Sequence, residues 1–186
     1  FYIFGAIFVL FYLLGYGSFS FIYSEEKIYN FLWALPYFLL VGFNEELLFR
    51  GYLFQKLIEG FGVYFAIILF SILFGLAHYY NPHIGMLSMI NIIIAGIFFS
   101  VAYIKTRSLW LPITMHFVWN FSQGMIFGFP VSGRILSDSF IEYIPSGPVL
   151  ITGGDFGPEG GLVVTLLLGV ATIYLFYRNN RIDKRI

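Results

Sequence analysis

Long, nearly uninterrupted apolar runs leave this chain little choice of fold. Crossing the hydrocarbon of a bilayer as a helix takes about 20 apolar residues. Six stretches approach or exceed that length, at about 1–23, 29–58, 63–80, 85–104, 109–129 and 161–177. A membrane β-barrel would instead show short segments of alternating hydrophobicity. The expected fold is therefore all-α: a single polytopic bundle of about six transmembrane helices over residues 1–186. Charged residues are 11% of the chain and apolar ones 59%, against about a quarter charged in a soluble domain. So little charge cannot coat a water-soluble globule, and lipid is the expected partner of the remaining surface.

Basic residues orient the bundle. Arg178, Arg181, Lys184 and Arg185 close the chain, and the positive-inside rule places them in the cytoplasm. Alternating backwards puts Lys105, Arg107 and Lys56 inside, and only Lys27 and Arg134 outside. The one long connection, 130–160, is then extracytoplasmic. It is rich in Gly, Pro, Ser and Asp and reads as a solvated loop in preference to a substrate-binding one. Within it, Pro158 and Glu159 suit the first turn of the last helix. Phe1 already lies in an apolar run, so residues are expected before it, and 1–23 has no basic start or cleavage site of a signal peptide. Ten basic residues balance ten acidic ones, which gives no basic patch for nucleic acid. The absence of cysteine excludes disulfides, thiolate metal sites and a cysteine nucleophile.

Within the spans stand residues that lipid should reject. The second stretch holds Glu45, Glu46 and Arg50, the third ends in Phe74 and His78, and the fifth holds His116 and Asn120. Each ionised side chain at the bilayer centre costs on the order of 3 kcal/mol, so these groups must face the bundle interior, paired or hydrated. Glu46 and Arg50 are four apart and share a helix face, as an ion pair would. Glu45 is rotated about 100° from Glu46 and stays free for chemistry. His116 and Asn120 also share a face. At 1.5 Å per residue, Glu45, His78 and His116 lie roughly 17, 22 and 12 Å from the cytoplasmic ends of their spans, around the middle of a core about 30 Å thick. Three helices thus deliver polar groups to one level. The blander readings fit other residues: His83 follows Pro82 in a surface turn, Asn91, Thr114 and Gln123 serve helix packing, and Trp33, Trp110 and Trp119 serve packing or the interface.

The cluster suits hydrolysis. The sequence has no GxSxG, P-loop or HExxH pattern. A glutamate beside a histidine can take a proton from an attacking water, which Glu45 and His78 fit. Two donors placed where charge develops on a carbonyl oxygen form an oxyanion hole, which His116 and Asn120 fit. A zinc site of Glu45, His78 and His116 is the alternative. It would leave no separate base except Glu46, which Arg50 occupies, so a site without metal or other cofactor is preferred.

Read in order as EExxxR, FxxxH and HxxxN, these motifs resemble the CPBP family of intramembrane proteases. That family includes type II CAAX prenyl endopeptidases, bacteriocin-processing enzymes and abortive infection proteins. The resemblance covers about 31–121, and the GGDFGPEGG of 153–161 is similar to a loop of some bacterial members. It implies a membrane-embedded endopeptidase acting on a peptide or membrane-protein substrate in lipid, in a bacterial plasma membrane. It implies water activation by Glu45 and His78, oxyanion stabilisation by His116 and Asn120, and support from Glu46 and Arg50. It also implies more spans than six, hence further chain before Phe1. Two other classes compete: a proton-coupled transporter, which would show internal repeats or paired broken helices, and a scaffold, which would tolerate isosteric replacement of Glu45 and His78.

Overall fold

The computed structural model describes residues 2–136 and 139–178. The expected start of the first span at Phe1 and the tail cations Arg181, Lys184 and Arg185 lie outside the described residues. Among the described residues, eight α-helices run in the order α1 Tyr2–Leu14, α2 Glu25–Arg50, α3 Tyr52–Phe61, α4 Val63–Ala77, α5 Met86–Thr106, α6 Trp110–Phe121, α7 Val149–Thr152 and α8 Leu162–Tyr177. A π-turn, Ser122–Ile126, continues α6. The chain is mostly helical. Among the described residues, two helical stretches, Glu25–Phe61 and Met86–Thr106, are long and apolar enough to cross a membrane, and Tyr2–Leu14, Val63–Ala77 and Leu162–Tyr177 are shorter apolar helices.

Local chemistry sets the ends of α2. Ser24 is its N-cap and accepts from the Lys27 amide at 3.3 Å, while Glu25 and Glu26 occupy the first turn, where carboxylates favour the dipole. Along the helix Phe38, Gly42, Glu46, Phe49 and Arg50 are buried, a stripe at helical spacing. The opposite face exposes Leu39, Leu40, Leu47 and Leu48. A face this apolar requires lipid or a partner to cover it.

Small residues let the helices approach one another. At Gly42 an added Cβ would lie 3.2 Å from the Ile113 carbonyl oxygen and from the Phe117 amide of α6. At Gly96 of α5 it would lie 2.9 Å from Ser71 Cα of α4. Helix pairs in lipid pack by such close backbone contact. The first brings Glu45 and Glu46 against His116, and the second brings α5 carbonyls within reach of Arg50.

Among the described residues, the fold departs from an all-α bundle at a two-stranded sheet. Gly17–Phe21 (β1) pairs antiparallel with Ile141–Pro145 (β2), from Gly17 opposite Pro145 to Phe21 opposite Ile141. The stretch expected to be one span at 1–23 is therefore a 13-residue helix followed by a strand. Phe19 packs on Tyr143 with ring centroids 4.9 Å apart. Burial pushes the Tyr143 hydroxyl up to about 12, so it stays neutral and donates to the Tyr16 carbonyl at 3.0 Å.

The long connection is solvated only in part: Arg134, Ile135, Ile144 and Val149 are exposed, while other residues pack against the bundle. Phe129, Val131, Phe156 and Pro158 are buried, and Gly133 fits tightly beneath the turn between α4 and α5. Its φ is +81°, and an added Cβ would lie 1.9 Å from the Pro82 carbonyl oxygen, so only glycine suits. Pro158 and Glu159 form a separate 3-10 turn, Pro158–Gly160. The last helix begins after it, at Leu162.

Candidate active site

The charged residues of α2 meet two imidazoles in the interior. Glu46 and Arg50 are both 0% exposed, and Arg50 Nη1 donates to Glu46 Oε1 at 3.1 Å. Arg50 Nη2 donates to the Gly96 carbonyl at 2.8 Å, and its Nε to Ser100 Oγ at 3.4 Å. Its guanidinium carbon lies 4.8 Å from the Phe74 ring centre. Spacing along α2 revealed this pair. It did not reveal the second partner of the same carboxylate oxygen: His116 Nδ1, on α6, at 2.8 Å. Glu46 thus joins the buried guanidinium to the imidazole of a neighbouring helix.

His78 is the C-cap of α4. Its Nδ1 lies 2.7 Å from the Phe74 carbonyl oxygen, and its ring rests on the Phe74 ring at 4.7 Å. A carbonyl can only accept, so Nδ1 carries the hydrogen. The same logic applies to His116, whose Nδ1 faces an ion-paired carboxylate. Neutral forms of both therefore present a bare Nε2. Those two nitrogens each lie 3.8 Å from Glu45 Oε2. Phe99 stacks on the His116 ring at 4.9 Å and 11° and fixes its plane.

Glu45, His78, His116 and Asn120 all line one cavity of about 260 Å³. Glu45 is partly exposed within it, and Asn120 is 8% exposed. A pair 3.8 Å apart is too long for a direct hydrogen bond, yet a single oxygen about 2.8 Å from each partner bridges it comfortably. Glu45 Oε2 is buried without a partner, so the site holds an acceptor aimed at such an oxygen. An oxygen of water has two hydrogens for these three acceptors. All contacts are met if one imidazole carries a second proton.

Zinc ligands at 2.0–2.1 Å in tetrahedral array stand about 3.4 Å apart. Glu45, His78 and His116 have the donor types, and their anchored Nδ1 atoms resemble the outer contacts of metal-bound histidines. Their 3.8 Å spacings are wider.

Sequence reasoning missed several residues of this cavity. Asn81, Trp119, Ser132, Arg134 and Glu159 also line it. Asn81 stands three residues after His78 in the same turn, a visible neighbour. The others depend on the docking of the long connection. Asn91, expected in helix packing, donates to the Glu159 and Gly161 carbonyls at 2.7 and 3.1 Å. Gln123 donates to the Pro130 carbonyl. Thr114 bonds within its own helix, His83 is exposed with φ +57°, and Trp33 and Trp110 are exposed.

Residues 27–122 match the family model described as type II CAAX prenyl endopeptidase Rce1-like. That segment is just over half of the chain and contains the three motifs. The candidate membrane peptidase YdiL of Bacillus subtilis (strain 168) is 27% identical over 115 residues. The alignment covers 59% of this chain and 44% of the relative, so the chain spans less than half of that curated relative's length. No solved structure matches the chain.

Proposed function

Because the chain belongs to the type II CAAX prenyl endopeptidase Rce1-like family, we propose that it is an intramembrane endopeptidase in which Glu45 drives water onto a peptide carbonyl. The observation that carries this reading is the unpartnered Glu45 Oε2, 3.8 Å from two imidazole nitrogens in a cavity. Glu45 accepts one proton of the water and His78 Nε2 accepts a hydrogen bond from the other. The hydroxyl oxygen bonds to the carbonyl carbon, and the C=O pair moves onto oxygen. The oxyanion receives N–H donors from Asn120 and from His116. His116 donates from Nε2 in its doubly protonated form, with its Nδ1 held by the Glu46 carboxylate at 2.8 Å. Glu45 then passes its proton to the leaving amine as the C–N bond breaks.

The zinc-dependent version draws on the convergence of one carboxylate and two anchored imidazoles. Glu45, His78 and His116 would be the ligands, and the metal would supply an activated water. The wide spacing favours the version without it.

The protein is proposed to be a multi-pass protein of a bacterial plasma membrane with about six spans, an extracytoplasmic 130–160 segment and a cytoplasmic C-terminus. Its partners are a peptide or membrane-protein substrate and lipid.

The test is cleavage of a peptide library by the full chain, purified in detergent, with and without chelator. Cleavage that survives the chelator and vanishes in Glu45→Gln is expected. Activity retained in Glu45→Gln overturns the mechanism. Activity lost to chelator and restored by zinc overturns its metal-free form.

A further inference from the structure

Glu159 is a charged side chain that the peptidase chemistry does not use, and the structure surrounds it with donors from distant segments. Its Oε1 accepts from Trp119 Nε1 of α6 at 2.7 Å. Its Oε2 accepts from the Ser132 amide at 2.7 Å and from Ser132 Oγ at 3.3 Å. Its backbone carbonyl accepts from Asn91 Nδ2 of α5 at 2.7 Å. Asn91 is 1% exposed, and its Oδ1 accepts from Thr165 Oγ1 of α8 at 2.7 Å. Glu159 therefore ties α5, α6 and the segment around Ser132 together, and Asn91 extends the tie to α8.

The position of this tie gives it a consequence. Trp119 adjoins Asn120 on α6. Val131, Ser132, Arg134 and Leu136 form a wall of the cavity that Glu45 and His78 line. Among the described residues, Val131 and Arg134 bond each other, the Gly133 amide donates to the Phe156 carbonyl at 3.0 Å, and upstream of the wall Gln123 bonds the Phe129 amide and the Pro130 carbonyl, which leaves Glu159 as the side chain that ties Ser132 to α6. We propose that Glu159 is a positioning residue that latches segment 128–136 onto α6 and so fixes this wall of the substrate cavity. The role in substrate binding rests on the peptidase reading; the latch itself does not.

Donor and acceptor counting shows why a carboxylate is required. Both ends of the Glu159 side chain receive N–H donors. An amide has one accepting end, so Glu159→Gln must turn an NH₂ towards either the Trp119 N–H or the Ser132 N–H. One of those contacts then becomes donor against donor. Trp119→Phe removes one of the two donors. In that background the introduced amide can direct its oxygen to the Ser132 amide, and the mismatch disappears. The expected pattern is strong non-additivity: Glu159→Gln damages the wild type more than it damages Trp119→Phe.

The experiment compares the wild type, both single variants and the double variant as full chains in detergent. Hydrogen exchange of segment 128–136 reads the latch, and peptidase kinetics read its use. In Glu159→Gln the segment is expected to exchange about tenfold faster, as loss of a bond to a charged acceptor allows. KM should rise about tenfold, with kcat changed much less, because segment 128–136 carries none of the residues assigned to the chemistry. Adding Glu159→Gln to Trp119→Phe should change neither readout by more than about twofold. If Glu159→Gln fails to accumulate, the comparison of Trp119→Phe with the double variant decides: near-equality supports the latch, and a further large loss overturns it. Exchange at the wild-type rate in Glu159→Gln also overturns it, and faster exchange with unchanged KM overturns its role in substrate binding. A wild type that cleaves nothing strikes the peptidase reading, and the exchange pattern still decides the latch for or against.

Discussion

Replacing Arg50 with methionine keeps much of the side-chain volume and deletes the charge facing Glu46. Both groups are 0% exposed, so water cannot take over the lost role. Glu46 Oε2 already has no hydrogen-bond partner, and without Arg50 the carboxylate keeps only His116 Nδ1 on Oε1. The Gly96 carbonyl is not orphaned, because Ser100 Oγ still donates to it at 2.8 Å. The cost therefore comes mainly from an uncompensated buried charge, about 3–5 kcal/mol. That is a large part of the 5–15 kcal/mol typical of a whole domain. At about 2–4 °C per kcal/mol for a chain of this size, the unfolding midpoint should fall by about 6–20 °C. Adding Glu46→Gln removes the charge, while the amide oxygen can still accept from His116 Nδ1. Most of the loss should then return, since a neutral replacement of a buried pair is often harmless. The assay is tryptophan fluorescence during heating in detergent, at one scan rate for all variants. A single Arg50→Met variant as stable as the wild type, or a double variant no better than the single, would refute the assignment of the cost to the buried carboxylate.

Glu45→Gln should fold and bind peptide but turn over near background, measured by single-turnover cleavage beside an unfolding curve. Asn120→Ala should lose about 10²–10³ in rate, mainly in kcat, as removal of one oxyanion donor does; a change confined to KM counts against that role. His116→Ala should lose a similar factor if it donates to the oxyanion, whereas loss as complete as that of Glu45→Gln together with zinc-dependent wild-type activity would instead make it a metal ligand. A cysteine at the exposed position Asp155, in a chain with no other cysteine, should react with a membrane-impermeant thiol reagent on intact cells; labelling only after permeabilisation refutes the extracytoplasmic placement of the 130–160 segment.

The polar cluster was legible in the sequence because lipid makes it conspicuous. Glu45, Glu46, Arg50, His78, His116 and Asn120 interrupt apolar runs, and helical rise alone places three of them at one depth. Spacing within a helix also paired Glu46 with Arg50, since residues four apart share a face. It could not show that His116 shares the Glu46 carboxylate, because that bond crosses between helices at a contact set by Gly42. The strand at 17–21 was hidden for a related reason. Its Gly-Ser-Phe-Ser-Phe alternates with a period of two, yet hydropathy averaged over a span merges it with α1. Its partner lies 120 to 128 residues away.

The docked connection was the least legible part, and its own composition explains why. Gly, Pro, Ser and Asp signal turns whether a segment floats in water or is held against a bundle. What distinguishes the two cases is where the backbone donors and acceptors go. Here the Ser132 amide goes to Glu159, the Pro130 carbonyl accepts from Gln123, and the Gly133 amide reaches the Phe156 carbonyl. Each of these bonds joins residues at least seven apart, so no window of local sequence contains both ends with a reason to meet. Glu159 illustrates the consequence. A carboxylate two residues before a helix reads as dipole compensation, whereas its partners are an indole on α6 and an amide 27 residues upstream. A polar residue in a loop beside an apolar bundle therefore cannot be assigned to water by composition alone; it belongs to the site when its charge is the acceptor that makes the loop fold back.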